Sequence, residues 1–412
     1  MTGLPSQVAA APRHALFLQG MPSPFFPQLA QRLRDHGWHT TRINLCAGDW
    51  LMWRGSQTRN YRGRETDWPA FIATFLAQEG VTDLILLGEQ RRYHRDAVAA
   101  AQAQRVRVTV TDFGYIRPDW ITWERDGMSG CSRFPRDPQA IRRLARDARP
   151  IDWTPQFAED ARRMAVGDLL HNFADVFFGW TFPHYRRSDR RPHPLIYTPA
   201  SALRLLGNRL QRRRMHALAQ GWSGGDRPFF LFPLQLDFDF QLVAYSPFGG
   251  LAPAIEAVLR SFARHAPPEA HLVLKEHPWD PGLKNWERLS QRVAKESGLS
   301  GRVHYLRGGH LDTLVAESAG VVTINSTSGI RALQLGAPVV ALGQAVYDVP
   351  GLTHQGGLDR FWGEAQAPDA QLVQDFLLAL ASTAQIRGVF FHPEGMRPAI
   401  EEAARRLVAD SR

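Results

Sequence analysis

The sequence has few cysteines, no long apolar run and no glycine-rich nucleotide loop, and each absence excludes a class of protein. Cys46 and Cys131 are the only two cysteines among 412 residues, which argues against a disulfide scaffold or a zinc site and for a reducing compartment. No stretch approaches the roughly 18 apolar residues of a membrane-spanning helix. Neither Gly-x-Gly-x-x-Gly nor a Walker-type loop occurs, which argues against NAD-dependent enzymes and P-loop ATPases. We interpret residues 1–13 as a flexible tail rather than a secretion signal.

Acidic residues are outnumbered by basic ones, 40 against 49, which gives a net charge of +9. This balance favours anionic partners such as nucleic acid, acidic lipid surfaces, or phosphorylated and carboxylated substrates. The charge is densest between Arg186 and Arg214, where nine arginines are diluted by a single acid, Asp189. The stretch is either a solvated helix face with a loop or a patch that holds the protein against an anionic membrane. In the second case each basic residue near the surface contributes about 1 kcal/mol.

Strands alternate with helices in both halves of the chain, and this pattern predicts mainly parallel sheets covered by helices on both faces. Apolar periodicity predicts, for example, helices over residues 68–78 and 251–265. In the first half, the strands end near glycines that would meet at one sheet edge: Gly20, Gly48, Gly88 and Gly114. The predicted division is a tail (1–13), a first Rossmann-like domain (14–137), a basic helical insert (138–222), a second Rossmann-like domain (223–390) and a C-terminal helix (391–412).

The strongest candidate for chemistry follows a predicted buried strand at residues 229–234. Four polar residues then alternate with apolar ones: Gln235, Asp237, Asp239 and Gln241. In an extended chain, this alternation would place two amides and two carboxylates on one face. Such a row outside the carboxyl end of a strand is typical of binding sites in open α/β sheets, although a strand entering a polar surface turn gives the same pattern. The two aspartates are candidates for a nucleophile or an acid–base group, or alternatively for a divalent-cation site.

Two further strand ends carry polar residues. One is a turn that precedes a predicted helix and consists of Asn325, Ser326, Thr327, Ser328 and Gly329. Free backbone N–H groups with hydroxyls beside them form an anion site, and this turn offers more hydrogen-bonding groups than an N-cap needs, which favours phosphate binding. The other strand end reads Lys275, Glu276, His277 and Pro278. Its histidine is either a structural residue or part of the same edge.

Several short motifs, in this order over residues 14–360, resemble the KpsS/LipB family of capsular polysaccharide proteins. They are residues 16–20 with 24–26, 42–44 with 48–49, 114–119 with 121–124, 233–235, 246–248, 275–278 and 325–329. One motif departs from the family pattern Gly-Asp-Cys-Arg-Pro-x-His, because residues 88–94 keep an acid at Glu89 but carry Gln90 and Arg92. The resemblance implies a GT-B-like α/β fold with two Rossmann-type domains facing a central cleft and a helical insert.

The resemblance also implies an activity, that of a retaining β-Kdo glycosyltransferase. Such an enzyme transfers the acidic sugar Kdo from CMP-Kdo to a phosphatidylglycerol-type lipid, which begins the linker of a Gram-negative capsular polysaccharide. The expected location is cytoplasmic and peripheral on the inner membrane. The expected partners are the nucleotide sugar, the anionic phospholipid acceptor, the membrane surface and other capsule assembly proteins, but no nucleic acid. We expect no cofactor and no metal, because CMP leaves as a phosphate monoester.

Residue roles follow from the resemblance position by position. Asp239 is implied as the catalytic carboxylate. The donor-binding residues would be Gln235, Gln241, Lys275, His277, Pro278, Asn325, Ser326, Thr327, Ser328 and Gly329. The acceptor-binding residues would be Gly20, Asp49, Arg91, His94, Tyr115, Arg117 and Glu124.

Two other functions stay open at this point. One is a non-enzymatic export or scaffold protein that uses a GT-B shell for recognition, since a fold alone does not establish an activity. The other is a GT-B transferase with a different donor, such as a UDP-sugar. Release of CMP from CMP-Kdo in the presence of a lipid acceptor would argue against both.

Overall fold

Two separate β-sheets organise the chain in the computed structural model, which describes residues 13–187, 190–210, 221–222 and 227–409. The strands are β1 (His14–Phe17), β2 (His39–Asn44), β3 (Thr58–Asn60), β4 (Asp83–Leu87), β5 (Arg107–Phe113), β6 (Trp120–Arg125), β7 (Phe229–Pro233), β8 (His271–Lys275), β9 (Val303–Leu306), β10 (Gly320–Thr323), β11 (Val339–Ala341) and β12 (Gln385–Arg387).

Helices cover both faces of the sheets. In chain order they are α1 (Phe25–Asp35), α2 (Ala47–Met52), α3 (Trp68–Gln78), α4 (Arg92–Ala103), α5 (Pro138–Asp147), α6 (Ala161–Phe178), α7 (Pro194–Leu210), α8 (Phe240–Tyr245), α9 (Leu251–His265), α10 (Trp286–Glu296), α11 (Leu311–Glu317), α12 (Ser328–Gln334), α13 (Leu358–Glu364), α14 (Ala370–Thr383) and α15 (Pro393–Ala409).

The first sheet has seven strands in the order β12-β6-β5-β4-β1-β2-β3. The strands from β1 to β5 run parallel, whereas β6 pairs antiparallel with β5. The central strand β4 and its neighbour β1 are buried along their whole length, as expected for parallel strands with helices on both faces. Because the parallel strands share a direction, their carboxyl ends and the glycines that follow them lie at one edge, as predicted.

The second sheet has five strands, all parallel, in the order β11-β10-β7-β8-β9. Its central strand β7 lies between β10 and β8, so the carboxyl ends of these three strands adjoin. Apolar side chains from both faces of the sheet are buried, including Phe232 and Leu274 on one face and Leu231 on the other. Two sheets of this kind with a cleft between them confirm the predicted GT-B-like α/β architecture.

The end of the chain returns to the first sheet, which differs from the predicted division at residue 390. Strand β12 pairs antiparallel with β6, α14 contacts α5 and α15 contacts α1. Buried aromatic pairs fix this arrangement: Phe376 lies 5.6 Å from Phe134, and Phe390 lies 5.0 Å from Phe25, between ring centroids. Residues 370–409 therefore complete the first domain rather than the second.

The polar row at residues 235–241 is not extended, so the prediction that its four polar side chains share one strand face is wrong. A turn follows Gln235, and α8 begins at Phe240. The Asp239 carboxylate accepts a hydrogen bond from the Gln241 backbone N–H at 3.0 Å and thereby caps α8. An aspartate in this position favours a helix start over a continuing strand.

The predicted helical insert contains α5, α6 and α7. Several predictions fall outside the described residues: most of the N-terminal tail (1–12), Asp189, and the three arginines at 212–214. Across the part of the chain that the structure describes, no helix combines the length and the apolar character needed to cross a membrane.

The core of the second domain gives a direct test of this packing. Leu259 on α9 is fully buried, so Leu259→Ala leaves a cavity and should reduce the free energy of unfolding by about 2–5 kcal/mol. The matched control is Leu283→Ala, because Leu283 is 43% exposed and its truncation should change stability by less than about 0.5 kcal/mol. Urea unfolding followed by circular dichroism measures both, and equal stabilities for the two variants would show that α9 is packed differently.

Candidate active site

The candidate site begins where three neighbouring strands of the second sheet end. Gln235 follows β7, Asn325 follows β10 and His277 follows β8. Adjacent strands lie about 4.8 Å apart, so these three chain ends form one continuous edge. The structure therefore places the three sequence motifs predicted to bind the donor at a single edge.

A chain of hydrogen bonds joins Asp239, Gln235 and Asn325. The Gln235 side-chain amide donates to Asp239 Oδ2 at 3.3 Å and to Asn325 Oδ1 at 3.0 Å. In return, the Asn325 backbone N–H donates to Gln235 Oε1 at 3.3 Å. The Asn325 amide also donates to the backbone carbonyl of Gln241 at 2.8 Å. Because these contacts connect the ends of β7 and β10 to the start of α8, they fix the position of the Asp239 carboxylate.

The environment of Asp239 favours the protonated form more than water does. Burial raises the pKa of the Asp239 carboxyl above its ordinary value, while hydrogen bonds from Gln241 and Gln235 act in the opposite direction. Asp112, which belongs to β5 of the first domain, raises the pKa of Asp239 further. The carboxylate is therefore within electrostatic reach of the opposite domain, at the cleft that separates the two sheets.

The first domain also touches the site directly. The Gln241 side-chain amide lies 4.0 Å from Met128 Sδ of the first domain. A methyl group added at Gly130 would lie 2.4 Å from the side chains of both Gln344 and Tyr245, so only glycine fits this approach. The two domains are thus in close contact beside the Gln241 side chain.

The turn from Asn325 to Gly329 is tightly held. Ser326 Oγ accepts from the Ser328 backbone N–H at 3.2 Å, and the Tyr347 hydroxyl donates to the Ser326 carbonyl at 2.7 Å. A methyl group added at Gly329 would lie 2.4 Å from the Tyr347 hydroxyl, which explains the glycine. Thr327 precedes α12 without a side-chain capping bond. Ser328 Oγ is buried and finds no hydrogen-bond partner among the described residues.

His277 is neutral near neutral pH. Burial lowers the pKa of the His277 imidazole to about 4, and the positive charge of Lys275 contributes to the shift. His277 Nδ1 accepts a hydrogen bond from the Trp279 backbone N–H at 3.1 Å, which leaves the ring proton on Nε2. Burial also lowers the pKa of Lys275, whereas Pro278 is exposed. His277 can thus serve as a hydrogen-bond donor, but not as a cation.

Glu276 lies at the same strand end as His277, but its side chain is engaged in contacts within the protein. Its buried carboxylate accepts hydrogen bonds from Arg204 on α7 at 2.5 Å and from the Tyr305 hydroxyl at 2.6 Å. This pair ties the insert to the edge that carries His277. The sequence does not predict the contact between Arg204 and Glu276, because these residues are 72 positions apart and no periodic pattern relates them.

Two of the predicted acceptor residues, Gly20 and Asp49, lie at the carboxyl edge of β1 and β2. A methyl group added at Gly20 would lie 2.5 Å from the Phe26 ring. Asp49 forms an ion pair with Arg42 at 3.0 Å and accepts from His171 at 3.4 Å. Burial raises the pKa of Asp49, but the Arg42 guanidinium and His171 outweigh it and hold the pKa at about 2.

The same region contains a possible set of metal ligands. Cys46, Asp49 and His171 offer ligand atoms that all lie within 4.8 Å of one another. The Arg42 guanidinium, however, already neutralises Asp49, and burial raises the pKa of the Cys46 thiol well above its ordinary value. A metal ion at these three residues would have to compete with the Arg42 guanidinium for the Asp49 carboxylate.

Three more predicted acceptor residues are buried and engaged within the protein. The Tyr115 hydroxyl donates to Glu124 at 2.7 Å and accepts from the Ser129 backbone N–H at 2.6 Å. Glu124 also accepts from the Ser132 hydroxyl. His94 donates through Nδ1 to the Leu87 carbonyl at 2.8 Å, and burial lowers its pKa to about 4.

The remaining predicted acceptor residues, Arg91 and Arg117, both interact electrostatically with Asp112. Asp112 and Glu89 were not among the site residues predicted from the sequence, although both lie at strand ends of the first sheet. The rule that polar residues at strand ends form sites would have selected them, since Glu89 follows β4 and Asp112 lies at the end of β5. The structure thus brings two arginines and two acids to the edge that faces Asp239.

A cavity of about 210 Å³ lies beyond the end of β2, between α2, α6 and the segment that leads to α7. Its lining is mixed, with Phe182 and Tyr185 next to Asp175, Arg187 and His193. The helical insert therefore encloses a space that opens next to the predicted acceptor edge.

Comparison with known proteins agrees with the sequence motifs. A family model of capsule polysaccharide biosynthesis proteins matches residues 82–391. The chain is 30% identical over 398 residues to the capsule polysaccharide export protein KpsS of Escherichia coli, covering 95% of this chain and 100% of that protein. It is 29% identical over 391 residues to the capsule polysaccharide modification protein LipB of Neisseria meningitidis serogroup A, covering 91% of each.

Among solved structures, the chain is similar to Thermosulfurimonas dismutans KpsC, a β-Kdo 2,7 transferase, with 15% sequence identity and a TM-score of 0.47. That alignment covers 97% of this chain and 100% of the other. The family assignment depends on the sequence matches, which extend over most of the chain. The chain belongs to the capsule polysaccharide biosynthesis protein family.

Proposed function

We propose that the protein is a retaining Kdo transferase that moves Kdo from CMP-Kdo to a phosphatidylglycerol-type lipid, to start the linker of a capsular polysaccharide. The observation that carries the proposal is the hydrogen-bonded chain from Asp239 through Gln235 to Asn325. It holds a carboxylate at the end of the central strand of the second sheet, beside a turn with a spare buried hydroxyl at Ser328. This arrangement suits a reaction in which a carboxylate meets a sugar whose leaving group is a phosphate.

In the proposed first step, an Asp239 carboxylate oxygen attacks the anomeric carbon of Kdo. The bond between that carbon and the phosphate oxygen of CMP breaks, and CMP departs with the electron pair. In the second step, the acceptor hydroxyl attacks the same carbon from the vacated side, the bond to Asp239 breaks, and the hydroxyl proton passes to a base or to water. Two inversions give net retention, as in glycosidases that form a covalent intermediate.

The departing CMP needs a site that stabilises negative charge. The Ser328 hydroxyl, which has no hydrogen-bond partner among the described residues, is suited to a phosphate monoester. The expected free backbone N–H groups are not found in most of the turn, because those of Asn325, Ser326, Ser328 and Gly329 already donate within the protein. His277 adds a neutral donor through its Nε2 proton. Donors fixed before the reaction stabilise charge as it develops, without reorganisation. No metal is needed in this scheme, because CMP carries a single phosphate.

The acceptor would approach from the first domain. Arg91 and Arg117 at its edge favour an anionic headgroup, and the cavity lined by Asp175 and Tyr185 lies between α2 and the insert. The basic residues of the insert would hold the protein at the cytoplasmic face of the inner membrane, where such a lipid lies. Other capsule assembly proteins would then be partners at the same surface.

Asp239→Asn tests the proposed nucleophile. An amide is a poor nucleophile, so the variant should lose at least about three orders of magnitude in Kdo transfer while its fold is unchanged. The measurement is chromatographic and mass-spectrometric analysis of the product from CMP-Kdo and a short-chain phosphatidylglycerol. The matched control is Asp237→Asn, because Asp237 pairs with Lys284 at 2.6 Å and accepts from the Leu251 backbone N–H at 2.9 Å.

Asp237→Asn should keep most of the activity, since the Asp237 carboxylate stabilises the local fold and takes no part in the proposed reaction. Full activity in Asp239→Asn would refute the role of Asp239. A wild-type protein that releases no CMP in the presence of acceptor would support the export or scaffold alternative. A requirement for a divalent metal with a preference for UDP-sugars would support the alternative donor.

The proposed acceptor edge also affects how the free energy of unfolding varies with pH. Burial raises the pKa of Glu89 to about 7, and Glu124 and Asp112 add to the shift, whereas the ordinary value is 4.5. Because the folded state binds this proton more tightly than the unfolded state, the resulting stabilisation is fully present below pH 4.5. It is lost as the pH rises through about 7.

Glu89→Gln removes this titration. Relative to the wild type, the variant should therefore gain about 1–3 kcal/mol in unfolding free energy between about pH 5 and about pH 9. The control is Glu269→Gln, an exposed position that should follow the wild type at every pH. Denaturant unfolding at several pH values measures the difference, and a difference that does not vary with pH would contradict the assignment.

A further inference from the structure

The insert exposes an unusual number of large apolar side chains. On α6, Val166, Leu170 and Phe177 are exposed at helical spacing and form one stripe. Exposed apolar patches of this kind mark sites of interaction with proteins or membranes. Trp180, just after α6, is 77% exposed.

Helix α7 carries a second stripe. Leu195, Leu203 and Leu206 lie on one face of the helix, and Leu203 is 71% exposed. Only Pro194 of this helix is buried. The two helices contact each other. We call the two stripes together with Trp180 the α6–α7 apolar surface.

The polar contacts of these helices lie on the other side. Asp175 on α6 accepts from the Gly48 backbone N–H at 2.8 Å, and Asp168 pairs with Arg191 at 2.7 Å. Arg204 on α7 binds Glu276 of the second domain. Each helix is therefore attached to the protein by one face while it presents its apolar stripe to the outside.

The charges around the α6–α7 apolar surface are mostly basic. Arg162 and Arg163 at the start of α6 are exposed, as are Arg190 before α7 and Arg209 near its end. The acid at the start of α6, Asp160, pairs with Arg163 at 3.2 Å. Helix α7 contains no acidic residue. An apolar stripe with arginines beside it and a tryptophan at its end is the pattern of helices that lie in the interface of an anionic bilayer. A protein partner would not require an excess of arginines around the apolar surface.

We infer that the α6–α7 apolar surface inserts into the headgroup region of an anionic lipid bilayer. The attachment is then partly apolar, and not only the electrostatic attraction of the arginines. The inference adds to the proposed function and rests on it for one point, the role of the cleft as the site of transfer to the lipid. Because Arg204 binds Glu276 next to His277, and Tyr197 packs at 5.6 Å against Phe238 next to Asp239, insertion would place the cleft at the level of lipid headgroups.

The test is flotation of the full-length protein with vesicles of phosphatidylcholine and phosphatidylglycerol, at low and at high salt. High salt screens the arginines but not apolar insertion, so part of the binding should survive. A variant that combines Trp180→Gln, Leu203→Gln and Leu206→Gln keeps the charge and should reduce the surviving partition coefficient about tenfold or more. The matched control is Trp153→Gln, since Trp153 is 44% exposed but lies outside the α6–α7 apolar surface.

Three results would overturn the inference. They are complete loss of wild-type binding at high salt, equal high-salt binding of the triple variant and the wild type, or a vesicle-free dimer that the triple variant dissociates. The last would identify the surface as an interface between copies of the chain. Circular dichroism verifies that each variant is folded.

A soluble short-chain acceptor separates this inference from the proposed function. The triple variant should transfer Kdo to that acceptor at the wild-type rate. If the wild type shows no transfer but the vesicle results hold, the proposed reaction fails and the membrane surface stands. If transfer occurs but the triple variant floats like the wild type at high salt, the inference fails alone.

Discussion

The geometry of the site depends on one side chain, the amide of Gln235. It donates to both Asp239 and Asn325, and its oxygen accepts from the Asn325 backbone. A buried amide with its donors and acceptor engaged has one favourable orientation, because leaving any of them unpaired costs about 1–3 kcal/mol. This single group therefore sets the distance between the carboxylate at the start of α8 and the turn at the end of β10.

The charge of the cleft is balanced in a way that suits anionic substrates. Burial raises the pKa of Asp239 and of Asp112, so these carboxyls give up their protons less readily than in water. In the proposed reaction, both the acidic sugar and CMP are anions, and fully ionised neighbours would repel them. Arg91 and Arg117 counteract this repulsion on the acceptor side. On the side of the nucleotide sugar, His277 adds a hydrogen-bond donor that is neutral.

The sequence predicted the fold well where the signal was periodic. Helices α3 and α9 have the predicted bounds, because a buried apolar face repeats over three or four turns. It failed at residues 235–241, where one hydrogen bond from the Gln241 backbone to Asp239 decides between a strand and a helix start. It also failed at β12, a strand of three residues whose existence depends on pairing with β6 more than 250 positions away. Contacts such as Arg204 with Glu276 arise only from the folded chain and leave no local pattern.

Mass spectrometry of the wild-type protein after brief incubation with CMP-Kdo, in the absence of acceptor, looks directly for the proposed covalent intermediate. If Asp239 is the nucleophile, the protein gains the mass of one Kdo residue on the peptide that contains Asp239 and loses it when phosphatidylglycerol is added. Acceptor-dependent CMP release in which the protein never carries a sugar, or carries it on another residue, would refute this role of Asp239.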